Sequence, residues 1–284
     1  MPEYDGGLGD QNTFNGSSKP EDRGPQSNPK SLTGNAIARD EIEWYRRSAE
    51  QGDAAAQYHL GSCYESGRGV TEDQKEAVKW YRRAAEQGHA SGQCHLGVCY
   101  ACGIGVSKDQ KEAFKWAIKA AEQGDAYGQR FLATCYSNAI GVSEAPEEAA
   151  KWYGQAAEQG QVESQFYLGL YYQNGYGVKK DLDEAFKWYT LAAEQGHATA
   201  QTFLGSCYEN GRGVGASQTE AVEWFRQAAE QGEVTAEYML GNCYASGMGV
   251  AQDVQEAIEW YWRAAEQGYA EAKLALRELG LNPQ

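Results

Sequence analysis

The stretch Trp80-Tyr81-Arg82-Arg83-Ala84-Ala85-Glu86-Gln87-Gly88 recurs along the chain, and the other features keep a fixed distance from it. A Glu-Gln-Gly triplet closes each copy, and a tryptophan opens it every 36 residues, at Trp44, Trp80, Trp116, Trp152, Trp188, Trp224 and Trp260. A fixed period without insertion or deletion indicates a repeat array in which each repeat packs only on its neighbours. The sequence therefore predicts a solenoid.

Each repeat reads as two amphipathic helices, which we name helix A and helix B. Apolar and small residues at helical spacing mark the two buried faces. In the first repeat these are Ala56, Leu60, Gly61 and Tyr64 in helix A, and Ala77, Trp80, Tyr81, Ala84 and Ala85 in helix B. A capping box of the form Asp/Ser-x-x-Glu predicts the start of helix B, and Gly88 and its equivalents predict its end.

The period divides the chain into a tail, a half-repeat, six repeats and a terminal helix. Residues 1–34 are rich in Gly, Ser, Asn, Pro and Asp, which is typical of disorder. Residues 35–52 resemble a lone helix B, and residues 269–284 are predicted to form a capping helix and a short tail. The six repeats between them span 53–88, 89–124, 125–160, 161–196, 197–232 and 233–268.

The third repeat departs from the pattern at three places. Ala145 replaces the cap of helix B, whereas Ala133 and Ala139 replace glycines that the other repeats keep. Pro146 presets the first turn of helix B and offsets part of the loss. If position 139 needs a positive φ, alanine costs about 1 kcal/mol there. The third repeat is therefore expected to be the least stable.

Charge and composition exclude several classes of partner. The net charge is −15 and the pI is near 4.8, whereas nucleic acids and anionic membrane surfaces need a basic face. No apolar run approaches the roughly 18 residues of a membrane span, and no signal peptide is evident. We expect a soluble, cytoplasmic protein. Five of its seven cysteines share one repeat position, which is typical of small buried fillers: Cys63, Cys99, Cys135, Cys207 and Cys243.

The recurrent pattern Ala-x-x-x-Leu-Gly-x-x-Tyr-x-x-Gly-x-Gly-Val, followed by Ala-x-x-Trp-Tyr-x-x-Ala-Ala-Glu-Gln-Gly, resembles the Sel1-like repeat, a relative of the tetratricopeptide repeat. The match covers about residues 36–279. The resemblance implies an all-α fold, an α/α superhelical solenoid of 36-residue helix-turn-helix repeats. It also implies a non-enzymatic adaptor that binds other proteins, with no cofactor.

Two alternatives from other classes remain open. A cysteine-rich secreted branch of the same family, for which β-lactam binding or hydrolysis has been proposed, pairs cysteines where this chain has Ala85 and Gln93. That departure and the lack of an activated nucleophile disfavour a hydrolase. The other alternative is a self-associating structural or regulatory protein without a separate partner.

The histidines are candidates for helix caps and for one zinc site. His89 and His197 follow the closing glycine, where a polar residue caps helix A. His95, Cys99 and Cys102 share one side of helix A in the second repeat, with His59 one repeat earlier, and such ligands suit Zn²⁺. Because Cys99 belongs to the filler position, we predict no metal and keep the zinc site as a hypothesis.

The variable side of helix A is the candidate binding surface. The positions of Ala55, His59, Ser62 and Ser66 change from repeat to repeat and lie opposite the uniform positions at 100° per residue. In the superhelix of this family the variable side lines the concave face, which suits a peptide or partner helix. The predicted partner-binding residues are Tyr127, Phe131, Asn138, Tyr167, Leu170, Asn174, Phe203, Asn210, Met239 and Asn242.

Two residue positions have competing interpretations. The bulky residues at the position of His59 are either anchors for a partner or contacts between successive A helices. Trp262 stands where other repeats have Arg82, Ile118, Gly154, Thr190 or Arg226. It is either an exposed anchor for self-association at the C-terminal end or a cover for the end of the core.

Overall fold

The computed structural model describes residues 34–283, with side chains from residue 41 onward. Over this range the chain is all helical, which confirms the predicted all-α solenoid of 36-residue repeats. The helices are α1 (Gly34–Glu50), α2 (Ala54–Ser66), α3 (Gln74–Glu86), α4 (Ala90–Cys102), α5 (Gln110–Glu122), α6 (Ala126–Ser137), α7 (Pro146–Glu158), α8 (Val162–Asn174), α9 (Leu182–Glu194), α10 (Ala198–Asn210), α11 (Gln218–Glu230), α12 (Val234–Ser246), α13 (Val254–Glu266) and α14 (Ala270–Glu278). The predicted disordered tail falls almost wholly outside the described residues.

The helices group into two compact units, one ending at Ala156 and the other beginning at Ala157. In the N-terminal unit, helices α1 to α6 contact one another in chain order, and α4 also contacts α6. In the C-terminal unit, α8 to α14 contact one another in the same sequential way. Contacts between chain neighbours are what a repeat array requires. None of the described helices is long and apolar enough to cross a membrane.

The predicted starts of helix B are confirmed, with one difference in detail. The Asp73 carboxylate accepts hydrogen bonds from the Lys75 and Glu76 backbone N–H groups, both at 3.0 Å. In a complete capping box Glu76 would accept from the Asp73 N–H, but that N–H donates to the Tyr64 carbonyl at 2.9 Å. The Glu76 carboxylate instead pairs with Lys79 at 2.6 Å. The cap therefore also ties helix B back to helix A.

An aromatic ring of helix B lies directly on a glycine of helix A within most hairpins. A Cβ atom added at Gly61 would lie 2.7 Å from the Tyr81 ring, and one at Gly169 would lie 2.6 Å from the Tyr189 ring. Real side chains do not approach so closely, so only glycine permits this contact. The same pair recurs as Gly205 with Phe225 and Gly241 with Tyr261.

A ladder of glutamines joins the ends of the helices. The Gln57 side chain donates to the Ala49 carbonyl at 3.0 Å and accepts from the Gln87 amide at 2.7 Å. Gln93, Gln165 and Gln201 repeat both bonds in their own repeats. These amides are buried, and a buried amide needs partners for both its donor and its acceptor. The ladder therefore stabilises the joints between repeats at these four glutamines.

The third repeat carries the backbone strain expected from its sequence. Ala139 is the non-glycine residue with a positive φ among the described residues, at 53°. At the same position Gly67 has φ 67° and Gly103 has φ 77°. An L-amino acid pays for this conformation because its Cβ approaches the backbone. The expectation that position 139 needs a positive φ is confirmed.

Candidate functional site

The variable positions of helix A form a half-open stripe in the C-terminal unit. In α8, Tyr167 and Leu170 are half-buried and Asn174 is exposed, whereas Leu168 and Gly169 between them are buried. The same alternation holds in α10 and α12, so the partly exposed residues lie at the predicted variable positions of helix A. We name as the A stripe the following residues of this unit: Glu163, Tyr167, Leu170, Asn174, Thr199, Phe203, Ser206, Asn210, Thr235, Met239, Asn242 and Ser246.

The apolar side chains of the A stripe are held in place by the core beneath them. The Phe203 ring lies 5.3 Å from Tyr189 and 5.4 Å from Phe166, measured between centroids. The Tyr167 ring lies 5.6 Å from that of Phe166. Both aromatic side chains remain half exposed. Fixed rings with one open edge lose little conformational entropy when they bind, which is a property of interface anchors.

The A stripe also carries an amide on each A helix, at the end of α8 and of α10 and one turn before the end of α12. The Asn174 Nδ2 donates to the Leu170 carbonyl at 3.0 Å, and the Asn210 Nδ2 donates to the Ser206 carbonyl at 2.9 Å. In α12, the Asn242 Oδ1 accepts from the Tyr261 hydroxyl at 2.8 Å. The first two amides are exposed and the third is half-buried. Asn174 and Asn210 are thus oriented by their own helices, and Asn242 by the neighbouring α13.

In the N-terminal unit the candidate residues are less open. Tyr127 is half-buried and packs on the core, whereas Asn138 is exposed at the end of α6. Phe131 is only 1% exposed and belongs to the core cluster of α4, α5 and α6. A side chain enclosed to this extent offers no surface to a partner. We therefore remove Phe131 from the candidate binding residues.

The reason for the burial of Phe131 lies one repeat earlier. The second repeat has Ala117 where the other helices B have an aromatic ring, which in four repeats lies on a glycine. Phe131 fills the space, because its Cε1 would lie 2.7 Å from a Cβ at Gly97, the glycine of the second repeat. Here the interpretation that the bulky residue packs between successive A helices is correct, and the contacts of Phe203 with Phe166 and of His95 with Tyr58 show that it also holds in part in other repeats.

The predicted capping role of the histidines is confirmed. The Nδ1 atoms of His89 and His197 each accept a backbone N–H at 3.1 Å, from Gly92 and Ala200 respectively. Asp53 and Asp125 cap their helices in the same way, at 2.6 Å and 2.7 Å. A nitrogen that accepts a hydrogen bond is the unprotonated one, so these two caps use the neutral imidazole.

The structure does not support the zinc hypothesis. His95 is 9% exposed, its Nδ1 lies 2.9 Å from the Ser91 carbonyl, and its ring contacts Tyr58 and Tyr81. His59 stacks on Tyr45 at 5.0 Å. Within the described residues, no group of three or more His, Cys, Asp or Glu side chains is placed to hold a metal ion.

The interpretation of the cysteines as buried fillers is confirmed. All seven are free, and the five at the shared repeat position are at most 5% exposed. Burial raises the pKa of Cys99 and of Cys135 to about 12. The thiolate is the nucleophilic form, so these thiols are poorly reactive at neutral pH.

Trp262 covers the end of the core in the C-terminal unit. It packs, half-buried, on the core cluster of α13 and α14, together with Leu281. Just after α14 the chain has Gly280 where the complete repeats have the tyrosine equivalent to Tyr64. An indole at position 262 supplies aromatic surface where that tyrosine is missing. This packing favours the interpretation of Trp262 as a cover.

The fold is thus a helical repeat solenoid, and the A helices of its C-terminal unit carry partly exposed side chains that vary between repeats. The Sel1 repeat family model matches seven segments, at residues 42–53, 54–89, 90–125, 126–161, 162–197, 198–233 and 234–269. The chain belongs to the Sel1 repeat family. Repeat proteins of this family generally act as non-catalytic scaffolds that bind other proteins.

Two solved structures share the fold at similar levels of identity. A protective antigen present in uropathogenic Escherichia coli strains is 37% identical over 87% of this chain, with a TM-score of 0.77. This chain spans about half, 54%, of the length of that antigen. A Sel1 repeat protein from Oxalobacter formigenes is 38% identical, covers 81% of this chain and 95% of its own length, and has a TM-score of 0.75. A search of curated proteins finds no match.

Proposed function

We propose that the protein is a non-enzymatic scaffold that binds a peptide or a helix of a partner protein along its A stripe. The observation that carries this proposal is the run of half-buried apolar side chains on three successive A helices, which also carry oriented amides. Tyr167, Leu170, Phe203 and Met239 supply the apolar surface. Asn174, Asn210 and Asn242 supply hydrogen-bonding groups beside it.

The chemistry of the stripe favours a polypeptide over other ligands. Glu163 is the one ionisable carboxyl among the twelve stripe residues, and none of them is a lysine or arginine. A surface without cations does not retain phosphates. Aromatic and aliphatic side chains next to amides are the composition of protein interfaces. Tyr127 and Asn138 of the N-terminal unit are proposed as further contacts of the same kind.

The proposal includes the absence of catalysis and a cytoplasmic location. The buried thiols have raised pKa values, and free cysteines persist in reducing compartments.

Peptide selection tests the proposal. A displayed peptide library is selected on the full chain, and the dissociation constant of the best peptide is measured by fluorescence anisotropy. We expect Leu170→Ala combined with Met239→Ala to weaken binding at least about tenfold, because apolar anchors carry most of the interface energy.

Leu191 provides the matched control, since this leucine is 37% exposed on helix B of the same unit and lies outside the A stripe. Leu191→Ala should leave the dissociation constant unchanged. Equal losses in both variants, with helical circular dichroism retained, would place the binding surface elsewhere and contradict the proposal.

A further inference from the structure

A second surface of different chemistry lies on the B helices of the first two repeats. Lysine and arginine recur there at every fourth position, as Lys75, Lys79 and Arg83 in α3 and as Lys111, Lys115 and Lys119 in α5. All six side chains are exposed. Four residues make slightly more than one helical turn, so each triplet runs along one side of its helix over about 12 Å. We name these six residues the basic face.

The basic face stands out against the charge of the rest of the chain. Helices α3 and α5 together carry seven Lys and Arg residues and four Glu residues. Each of the equivalent helices α7, α9, α11 and α13 carries one Lys or Arg residue and three Asp or Glu residues. The whole chain has a net charge of −15. Among the B helices of the six complete repeats, only α3 and α5 therefore carry more cationic than anionic side chains.

Four of the six cations of the basic face are positioned by neighbouring side chains. The Arg83 guanidinium lies 4.4 Å above the Trp80 ring, and the Lys119 ammonium lies 4.1 Å above the Trp116 ring. Lys79 and Lys115 pair with glutamates on their own helices at 2.6 Å. Lys75 and Lys111 form no ion pair within the described part of the chain. Cations held on aromatic rings lose less freedom when they bind an anion.

We propose that the basic face binds an acidic polypeptide segment, rich in Asp and Glu, independently of the A stripe. Charge complementarity identifies this occupant, because carboxylates at intervals along a peptide can meet the cations. A nucleic acid is disfavoured, since a protein with a net charge of −15 repels a continuous chain of phosphates more strongly than a short peptide with separated carboxylates. The scaffold then has two surfaces of different specificity.

Three labelled probes test this proposal with the full chain at low ionic strength. They are a peptide of alternating Glu and Gly, the same peptide with Gln in place of Glu, and a single-stranded oligothymidylate of matched charge. We expect the Glu peptide to bind, the Gln peptide to fail, and added salt to weaken binding.

Arg83→Gln combined with Lys119→Gln should raise the dissociation constant of the Glu peptide about five-fold, because exposed ion pairs are individually weak. Lys187→Gln combined with Arg263→Gln is the matched control, since both cations lie over tryptophan rings, at 5.2 Å and 4.5 Å, on acidic B helices. The control should bind as the parent does. No binding of the Glu peptide, equal losses in both variants, or tighter binding of the oligothymidylate would each overturn the proposal.

Discussion

Phe131 and Phe203 occupy the same position of helix A in the third and fifth repeats, yet one is buried and the other is half exposed. The difference comes from the residue fourteen positions earlier. Ala117 leaves a space that Phe131 fills, whereas Tyr189 already occupies the equivalent space and Phe203 packs on its ring at 5.3 Å. The exposure of a position in a repeat protein is thus decided partly by the preceding repeat.

The largest expected effect is a loss of stability on substitution of Phe131, the buried residue of this pair. Phe131→Ala should lower the free energy of unfolding by about 3–5 kcal/mol, because it opens a cavity in a core with no other side chain to fill it. Phe203→Ala, which removes a half-exposed ring, should cost clearly less. Urea unfolding followed by circular dichroism measures both. Equal losses would contradict the structural difference between the two sites.

A second pair of substitutions tests whether Ala117 and Phe131 share one space in the core. Ala117→Tyr alone should destabilise the protein by about 1–3 kcal/mol, because Phe131 already fills the space. In the Phe131→Ala background the same substitution should recover stability, since the tyrosine then fills the cavity. The double-mutant cycle gives the coupling free energy. Additive effects would show that the two side chains do not share one space.

The third prediction concerns the strained turn of the third repeat. Ala139→Gly should raise the free energy of unfolding by about 1 kcal/mol, because glycine adopts a positive φ without strain. Gly67→Ala is the mirror experiment in the first repeat, where the nearest atom to an added Cβ is 3.5 Å away and only the backbone is strained. It should destabilise the protein by a similar amount. A neutral Ala139→Gly would mean that the turn relaxes at no cost.

The smallest expected effect on stability concerns the sixth repeat, where a glutamate replaces a glutamine of the ladder. Glu237 stands in the glutamine ladder of the sixth repeat and accepts from the Gln267 amide at 2.9 Å. An ionised carboxylate cannot donate to the Ala229 carbonyl as the equivalent glutamines do. Glu237→Gln should therefore stabilise the protein by about 1 kcal/mol at neutral pH. Gln201→Glu, the reverse change in the fifth repeat, should destabilise it.

The pH dependence of the Glu237→Gln effect has a definite sign. Burial raises the pKa of the Glu237 carboxyl, so the folded state holds the proton more tightly than the unfolded state. The parent protein gains relative stability as the pH falls through the folded pKa, because the protonated carboxyl becomes a donor. The advantage of the glutamine variant should therefore shrink on acidification. Urea unfolding at several acidic pH values measures it, and a constant advantage would contradict the prediction.

Much of the fold could be predicted because it depends on local signals that recur. The 36-residue period predicted the hairpins, the capping aspartates predicted the starts of the B helices, and the closing glycines predicted their ends. Gly88 has a φ of 91°, as its position in the sequence indicates. The positive φ at Ala139 was predictable for the same reason, since the other repeats keep glycine there.

The candidate site was less predictable because it depends on contacts between repeats. Phe131 looks like Phe203 when each A helix is considered alone, and only the alanine at position 117 distinguishes them. The basic face was missed because net charge averages over the chain, although lysine spacing in α3 and α5 is visible in the sequence. The glutamine ladder joins residues 30 positions apart, and helical periodicity within one helix does not show such a bond.

The joint between Ala117 and Phe131 has a consequence for the exchange of repeats. The two residues lie on opposite sides of Gly124, where a crossover between 36-residue cassettes would fall. If the third repeat, with Phe131, followed a repeat that has tyrosine at the equivalent of position 117, the core between them would be overpacked. If the second repeat, with Ala117, preceded a repeat with a smaller residue at the equivalent of position 131, the core would contain a cavity. The second and third repeats therefore have to be duplicated, deleted or transplanted together.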